Sequence, residues 1–263
     1  MCPQRDCQVI DKLAFVHPDA KIGNNVTIGP WTYIGPDVEI GDDCHLSSHV
    51  VVKGPTVIGK GNRIFQFASV GEDCQDKKYA GEPTRLIIGD NNVIRESVTI
   101  HRGTVQDNSE TRIGSNNLFM AYVHIAHDCV VGNNVIMANN ASIAGHVHVG
   151  DWAILGGMTG VHQFVHIGAH AFTAGYSLIL QDVPPFVMAS GQPAIPRGLN
   201  SEGMKRRGFS KESQLAVRRA YKTLYRKGLT IEEAVAALGE DAEDEQVKLL
   251  MDFVVNSSRG IIR

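Results

Sequence analysis

The sequence has few aromatic residues, no long apolar run and no excess of charge of one sign. Only 6% of its 263 residues are aromatic, whereas 27 are glycine, which suits a narrow, repetitive interior better than an ordinary globular core. No stretch approaches the ~20 apolar residues that a membrane-spanning helix requires. The net charge is −3, so the sequence lacks the excess of basic residues that is typical of nucleic-acid-binding proteins. We therefore expect no membrane span and no nucleic-acid partner.

The cysteines are too few and too scattered to form a disulfide framework. Their number is odd, which favours reduced thiols over paired half-cystines. The five are Cys2, Cys7, Cys44, Cys74 and Cys129. Because the first eight residues are polar, we also expect no signal peptide. Both features predict a cytoplasmic protein.

An aliphatic residue recurs every six positions through most of the chain. The first run is Ile22, Ile28, Ile34, Ile40, Leu46, Val52, Ile58, Ile64 and Val70, and a second run extends from Ile113 to Ile179. A period of six fits neither an α-helix nor an ordinary strand. It fits a solenoid in which three six-residue sides make a triangular coil of 18 residues, with one short parallel strand on each side. The sequence therefore predicts a mainly β fold, a parallel β-helix of hexapeptide repeats.

The repeat is interrupted twice, over residues 71–87 and 103–112. A passive structural solenoid would be more monotonous, so it is the weaker interpretation. Loops that leave a rigid scaffold often carry function. We expect these two interruptions to contribute to a functional site.

The repeat fades near residues 182–185, and helical signals follow. Ser210 can cap a helix that Gly228 ends, Thr230 and Glu233 form a capping box, and a third helix is expected near residues 245–255. We therefore divide the chain into a β-helix domain, residues 1–195, and a C-terminal α-helical domain, residues 196–263. Residues 205–227 are strongly basic, which fits either a solvated helix face or a surface for an acidic protein or a phosphate-bearing ligand.

Eight of the eleven histidines lie between residues 101 and 170. Steps of one coil, 18 residues, place His127, Gly145 and Gln163 in one column. Imidazole exchanges protons near neutral pH, so His127 is a candidate general base. Gly145 could offer an unhindered N–H to an oxyanion, and Asp128 could orient the imidazole. Successive strand residues face opposite ways, so the His127–Asp128 pair requires a corner of the coil or a subunit boundary.

Several motifs outside the repeat resemble one family, the UDP-N-acetylglucosamine 3-O-acyltransferases among the hexapeptide-repeat transferases. They lie at residues 79–84, 99–104, 124–129, 157–158, 161–164, 181–185 and 205–210. The resemblance implies a left-handed coil and a homotrimer with active sites between subunits. It also implies transfer of a (3R)-3-hydroxyacyl group from acyl carrier protein to the sugar 3-hydroxyl, as the first step of lipid A synthesis. No metal or organic cofactor is implied.

The resemblance also implies roles for individual residues. His127 corresponds to the general base, Asp128 to its assistant and Gly145 to the oxyanion donor. The positions that correspond to substrate or carrier contacts are Asp76, Lys78, His101, His124, His146, Gln163, Asn200, Glu202, Arg206 and Arg207. Gly175 corresponds to the position that ends the acyl groove. Counting in steps of 18 gives the column Gly157, Gly175 and Pro193, and its two stacked glycines predict a preference for long acyl chains of the hydroxymyristoyl class.

Two other enzymes with this repeat are alternatives. An N-acyltransferase of the same pathway carries a large N-terminal uridine-binding domain, whereas only about 20 residues precede the repeat here. A γ-type carbonic anhydrase would require three of the histidines to converge on zinc. The sequence leaves open the acyl chain length and the choice between UDP-N-acetylglucosamine and its 3-amino analogue.

Overall fold

The computed structural model describes residues 9–239 and 244–263. The strands of the first half are β1 Val9–Ile10, β2 Phe15–Val16, β3 Lys21–Ile22, β4 Thr27–Ile28, β5 Tyr33–Ile34, β6 Val38–Ile40, β7 His45–Leu46, β8 Val51–Val52, β9 Thr56–Ile58, β10 Arg63–Ile64, β11 Ser69–Glu72, β12 Arg85–Ile88, β13 Val93–Ile94 and β14 Thr99–His101. Those that follow are β15 Glu110–Ile113, β16 Leu118–Phe119, β17 His124–Ile125, β18 Val130–Val131, β19 Ile136–Met137, β20 Ser142–Ile143, β21 His148–Val149, β22 Ile154–Leu155, β23 Gly160–Val161, β24 His166–Ile167, β25 Phe172–Thr173, β26 Leu178–Ile179, β27 Val187–Gly191 and β28 Ala194–Leu199.

Consecutive strands join three different sheets, which form the sides of a triangular prism. Sheet 1 begins at β1, sheet 2 at β2 and sheet 3 at β3, and they continue with every third strand up to β25, β26 and β24 respectively. Strands pair in parallel with their counterparts one coil later, as Thr27 does with His45 and Ile28 with Leu46. We name the turns between sheets the 1/2, 2/3 and 3/1 corners. The predicted coil of three hexapeptides is confirmed.

The interior follows the six-residue register. Ile28, Ile34 and Ile40 are each at most 3% exposed, and the later residues of the series to Ile179 are likewise buried. At most corners a non-glycine residue has positive φ, such as Asn25 at 53°. This conformation costs free energy, and hydrogen bonds between successive coils offset the cost at the 3/1 corner.

Both interruptions of the repeat are insertions at the 2/3 corner. One occupies residues 73–84 between β11 and β12, and the other residues 102–109 between β14 and β15. Across the first, Leu86 pairs with Thr56, 30 positions earlier; across the second, Glu110 pairs with Arg85, 25 positions earlier. The coils therefore stay in register while the insertions project outward at a single corner.

The last coil departs from the step of 18. Thr173 pairs with Ala189, a step of 16, and β27 then turns back into an antiparallel hairpin with β28. The predicted column of Gly157, Gly175 and Pro193 is therefore wrong at its end, because Gly191 follows Gly175 in this register. The domain boundary drawn between residues 195 and 196 falls within β28.

Four helices follow the hairpin in the described residues: α1 Ser201–Arg206, α2 Lys211–Arg226, α3 Ile231–Gly239 and α4 Glu245–Asn256. The cap at Ser210 and the capping box of Thr230 and Glu233 are both formed, whereas α1 was not predicted. The helices bury a second apolar core, which Phe186 joins to the end of the solenoid. None of these helices is long and apolar enough to cross a membrane.

Candidate active site

A cavity of about 520 Å³ opens on sheet 2 beside the 2/3 corner. Its wall brings together six residues that the sequence singled out: Asp76, His101, His124, His127, Gly145 and Gln163. Strands β17, β20 and β23 form its floor, and the insertion at residues 73–84 contributes one side. The site is therefore built where the regular coils and the first insertion meet.

His127 and Asp128 lie at the 2/3 corner, as their pairing requires. Asp128 has a φ of 57°, which turns its side chain back toward its neighbour. Nδ1 of His127 lies 2.8 Å from Oδ2 of Asp128. The imidazole is 15% exposed and the carboxylate is fully buried. Because Nδ1 is engaged by the carboxylate, Nε2 is the nitrogen that can accept a proton from a molecule in the cavity.

Asp128 is fixed by the second insertion. The backbone N–H of Thr104 donates to Oδ1 at 2.8 Å, and the Thr104 hydroxyl donates to Oδ2 at 2.6 Å. The N–H of Asp128 donates to the hydroxyl of Thr111 at 2.8 Å. Burial opposes ionisation of Asp128, but the hydrogen bonds from His127 and Thr104 outweigh it and lower the pKa of the carboxyl. A buried carboxylate is thus maintained behind the imidazole.

Gly145 stands one coil beyond His127. A Cβ atom at this position would lie 2.5 Å from Cε1 of His127, so only glycine lets the imidazole rest against this corner. The N–H of Gly145 has no acceptor among the described residues. It is therefore available to an oxyanion beside the imidazole.

His101 and His124 form a second histidine pair at the cavity wall. Their ring centroids are 5.1 Å apart in an edge-to-face arrangement, and Nδ1 of His124 lies 2.7 Å from the Thr99 hydroxyl. Burial, together with the charge that His124 would carry, lowers the pKa of His101 to about 4. Burial and His127 also lower the pKa of His124. Both imidazoles are neutral at neutral pH and can hydrogen-bond a substrate hydroxyl.

His146 and Lys78 do not line this cavity. The ring of His146 stacks on Phe164 at 4.3 Å, and its Nδ1 lies 2.8 Å from a carboxylate oxygen of Asp107 in the second insertion. Its edge packs against His127 at 5.0 Å, so within one chain it supports the base. Lys78 donates its backbone N–H to Asp76 at 2.9 Å.

A second cleft of about 610 Å³ lies on sheet 1 and contains Asn200, Glu202, Arg206 and Arg207. Asn200 caps α1 by accepting from the N–H of Gly203 at 3.1 Å. Arg207 donates to the carbonyl of Trp152 at 2.9 Å, and its guanidinium lies 5.0 Å from that ring's centroid. Within one chain, the structure does not bring these four residues to the first cavity.

Gly175 lies at the 1/2 corner, between the two openings. A Cβ atom there would lie 3.3 Å from the carbonyl oxygen of Gly157. This corner carries a column of exposed apolar side chains: Trp31, Phe67, Tyr122, Met158 and Tyr176. The position of Gly175 is therefore a shallow point on an apolar edge.

Sequence reasoning missed the floor of the cavity. Ser142, Gly160 and Leu178 follow His124 in steps of one coil on sheet 2, and Gly160 leaves the floor without a side chain. The same count in steps of 18 that grouped His127 with Gly145 would have found them. Thr104 and Asp107 lie in an insertion without a period, so no such count reaches them.

In the described part of the chain, one group of three side chains could hold a metal ion: His127, Asp128 and His146. It contains two imidazoles rather than the three that a carbonic anhydrase would require. The carboxylate already accepts hydrogen bonds from Thr104 and faces Nδ1 of His127. The geometry thus favours an acid–base pair over a zinc site.

Two family models match the chain. A bacterial transferase hexapeptide model matches residues 19–54 and 110–145, and the second domain of UDP-N-acetylglucosamine O-acyltransferase matches residues 182–262. A curated relative, acyl-[acyl-carrier-protein]–UDP-N-acetylglucosamine O-acyltransferase from Saccharophagus degradans, is 58% identical over 97% of this chain and 99% of its own. This chain belongs to that family.

Solved structures support the same family assignment. The UDP-N-acetylglucosamine O-acyltransferase from Moraxella catarrhalis is 48% identical with a TM-score of 0.95, over 97% of this chain and 99% of that one. The UDP-N-acetylglucosamine acyltransferase from Francisella novicida is 46% identical with a TM-score of 0.95, over 97% and 94%. The predicted left-handed parallel β-helix with C-terminal helices is confirmed. Family membership decides against the passive solenoid, the N-acyltransferase and the carbonic anhydrase.

Proposed function

We propose that this enzyme transfers a (3R)-3-hydroxyacyl group from acyl carrier protein to the 3-hydroxyl of UDP-N-acetylglucosamine, the first step of lipid A synthesis, in the cytoplasm. The observation that supports it most is the His127–Asp128 pair, which faces a cavity beside the open N–H of Gly145. A base and an oxyanion donor on neighbouring coils are what acyl transfer requires. The relative that establishes the family is named for O-acyl transfer from acyl carrier protein to UDP-N-acetylglucosamine.

The first step is attack by the sugar hydroxyl. Nε2 of His127 accepts the 3-hydroxyl proton while the oxygen forms a bond to the thioester carbonyl carbon. The carbonyl π electrons move to oxygen, and the N–H of Gly145 stabilises the resulting oxyanion. Asp128 stabilises the imidazolium through Nδ1, as the carboxylate of a triad does.

The second step is collapse of the tetrahedral intermediate. The carbonyl re-forms, the carbon–sulfur bond breaks, and the carrier's thiolate takes the proton from Nε2 of His127. The neutral imidazoles of His101 and His124 hold the sugar without competing for this proton, since the pKa of each is lowered. Asp76 and Gln163 complete the sugar-binding wall.

A homotrimer would join the two openings. The cavity lies on sheet 2 and the cleft on sheet 1, so a threefold arrangement about an axis parallel to the prism sets the cleft of one subunit against the cavity of the next. The exposed apolar column of the 1/2 corner is the surface that such packing would cover. Arg206 and Arg207 would then hold the diphosphate or the carrier, and Glu202 and Asn200 the nucleoside.

The acyl chain is proposed to follow the apolar floor toward Gly175. Gly160 and Leu178 form part of the cavity floor, and Gly175 lies beyond the cavity at the 1/2 corner, where it presents no side chain. Each buried methylene contributes about 0.8 kcal/mol. Four further methylenes therefore favour hydroxymyristoyl over hydroxydecanoyl by ~3 kcal/mol. In the register of the last coil, a glycine rather than Pro193 follows Gly175. Pro193 therefore does not close this path.

The test is a competition. The enzyme receives equal amounts of hydroxydecanoyl and hydroxymyristoyl carrier with UDP-N-acetylglucosamine, or separately with its 3-amino analogue, and the products are identified by mass spectrometry. We expect an O-linked hydroxymyristoyl product. Gly175→Met should reverse the preference while leaving turnover on the shorter carrier within a few-fold.

The outcomes separate the claims. Absence of an acylated nucleotide sugar with either carrier would overturn the proposed reaction. An amide-linked product formed in preference would correct the acceptor, and a wild-type preference for the shorter chain would remove Gly175 as the determinant of length.

A further inference from the structure

Arg102 is a buried cation at the start of the second insertion, and its guanidinium contacts the first. It follows His101, a cavity residue, and is 6% exposed. Its Nη1 donates to the carbonyls of Gly54 at 2.9 Å and Gly71 at 2.6 Å. Its Nη2 donates to the carboxylate of Asp73 and, at 3.1 Å, to the hydroxyl of Tyr79. One guanidinium thus binds four oxygens from four separate residues.

These partners belong to two different parts of the molecule. Gly54 and Gly71 are part of the rigid coils, whereas Asp73 and Tyr79 belong to the insertion at residues 73–84. The Tyr79 hydroxyl in turn donates to the carbonyl of Glu82 at 3.1 Å. Arg102 therefore ties the beginning and the middle of the insertion to the solenoid.

The tied segment carries the wall of the cavity. Gln75 and Asp76 line the cavity and lie between Asp73 and Tyr79 in sequence. The N–H of Tyr79 donates to the carbonyl of Asp76 at 3.0 Å, and a carboxylate oxygen of Asp76 accepts from Lys78 at 2.9 Å. Holding Tyr79 therefore holds the turn in which Asp76 is placed.

We propose that Arg102 is a positioning residue that fixes residues 73–84 over the cavity and so sets affinity for the acceptor sugar through Asp76. In this inference, the identity of the acceptor sugar rests on the proposed function. Lysine cannot replace it, because a single ammonium lacks the planar fork that reaches both coil carbonyls and both insertion side chains. Arg102 touches no reacting atom.

The experiment uses the intact enzyme and three variants. Arg102→Lys keeps the charge, Tyr79→Phe keeps Arg102 but removes one of its two insertion partners, and Arg112→Lys is the matched control. Arg112 forms an exposed ion pair with Glu110 on sheet 3, away from the cavity. For each, KM for UDP-N-acetylglucosamine and kcat are measured, together with the rate at which trypsin cleaves the folded enzyme after Lys77 and Lys78.

We expect Arg102→Lys to raise KM about tenfold, the effect of one lost charge-assisted hydrogen bond, with kcat within about threefold of wild type. Tyr79→Phe should raise KM less. Both should accelerate cleavage after Lys77 and Lys78, and Arg112→Lys should change neither quantity. Adding Arg102→Lys to Asp76→Ala should raise KM no further, because the effect passes through Asp76.

Unchanged cleavage in Arg102→Lys would overturn the positioning role. Faster cleavage with an unchanged KM would overturn the link to the acceptor, since a loosened insertion would then not matter for binding. A fully additive double variant would also contradict it. A wild-type enzyme that does not use this acceptor would instead overturn the proposed function, and the cleavage rates would still decide whether Arg102 holds the insertion.

Discussion

The 3/1 corner and the 2/3 corner contain similar residues, but the first stabilises the solenoid and the second forms the candidate active site. At the 3/1 corner, an oxygen of Asp42 accepts from the N–H of Asn24 at 2.6 Å, and one of Asp151 from the N–H of Asn133 at 2.7 Å, each one coil apart. The polar side chains bind the neighbouring coil. That corner is uninterrupted along the prism, and it is structural.

At the 2/3 corner backbone bonds between coils remain, as from the N–H of His146 to the carbonyl of His127 at 3.1 Å, but polar side chains contact the insertions. Asp128 accepts from Thr104 and faces His127, and Gly145 leaves open the space that a side chain would fill. An aspartate at a corner of the coil is thus structural or functional according to what lies beside it. The insertions, rather than the residue type, make one corner an active site.

The strongest test of this difference changes one side chain at each corner. His127→Ala at the 2/3 corner should lower kcat by about 10²–10⁴-fold, the usual effect of losing a general base. Asp151→Asn at the 3/1 corner keeps an oxygen that can accept from Asn133 and should leave kcat nearly unchanged. Steady-state rates on hydroxymyristoyl carrier measure both.

The fold must be shown to survive in each case. Circular dichroism and the thermal unfolding midpoint should match wild type closely for His127→Ala, because the imidazole lies outside the apolar interior of the solenoid. A His127→Ala enzyme that keeps more than about a tenth of the wild-type rate would remove His127 as the base.

The periodic part of the site was predictable and the rest was not. A strict step of 18 placed Gly145 and Gln163 beside His127 without a structure, and the requirement for a corner followed from strand geometry. The step shortens from 18 to 16 after β26, since Val161 pairs with Ile179 but Ile167 pairs with Val183, so the column that ended at Pro193 was wrong. The hexapeptide count assumes a constant step and cannot include this shortening.

The insertions carry no period at all. The sequence indicated that they interrupt the repeat, but it could not show that Thr104 reaches Asp128 or that Arg102 reaches Tyr79. These contacts depend on how two irregular segments of twelve and eight residues fold back over the coil. The repeat of one chain likewise cannot show which openings meet across a subunit boundary, because that depends on the assembly.

A second comparison concerns glycine at the two corners. Gly145→Ala would place a methyl group against the His127 ring, and Gly114→Ala would place one 2.5 Å from the carbonyl oxygen of Gly132 at the 3/1 corner. A ring can swing aside, whereas a backbone carbonyl cannot. We expect Gly145→Ala to lower kcat about 10²-fold through displacement of the base with little loss of stability.

Gly114→Ala should show the reverse pattern. It should lower the thermal unfolding midpoint by several degrees, as a strained backbone contact does, while the remaining folded enzyme turns over at nearly the wild-type rate. Equal effects of the two substitutions on activity would mean that the corners do not differ in function.

The smallest expected effect tests whether the second insertion matters only through Asp128. Thr104→Val removes the hydroxyl that donates to Oδ2 at 2.6 Å but keeps the backbone donor to Oδ1 at 2.8 Å. Valine has nearly the same shape, so packing is preserved. Losing one hydrogen bond to a buried carboxylate costs about 1.5–3 kcal/mol, and part of this cost appears as weaker support for the imidazolium. We expect kcat to fall about tenfold with KM unchanged, since Thr104 does not line the cavity.

When Thr104→Val is combined with Asp128→Asn, it should lower kcat little further, because the partner of the Thr104 hydroxyl is already altered. A Thr104→Val enzyme with wild-type kcat would show that the hydroxyl only closes the insertion, and that the backbone donor alone holds the carboxylate.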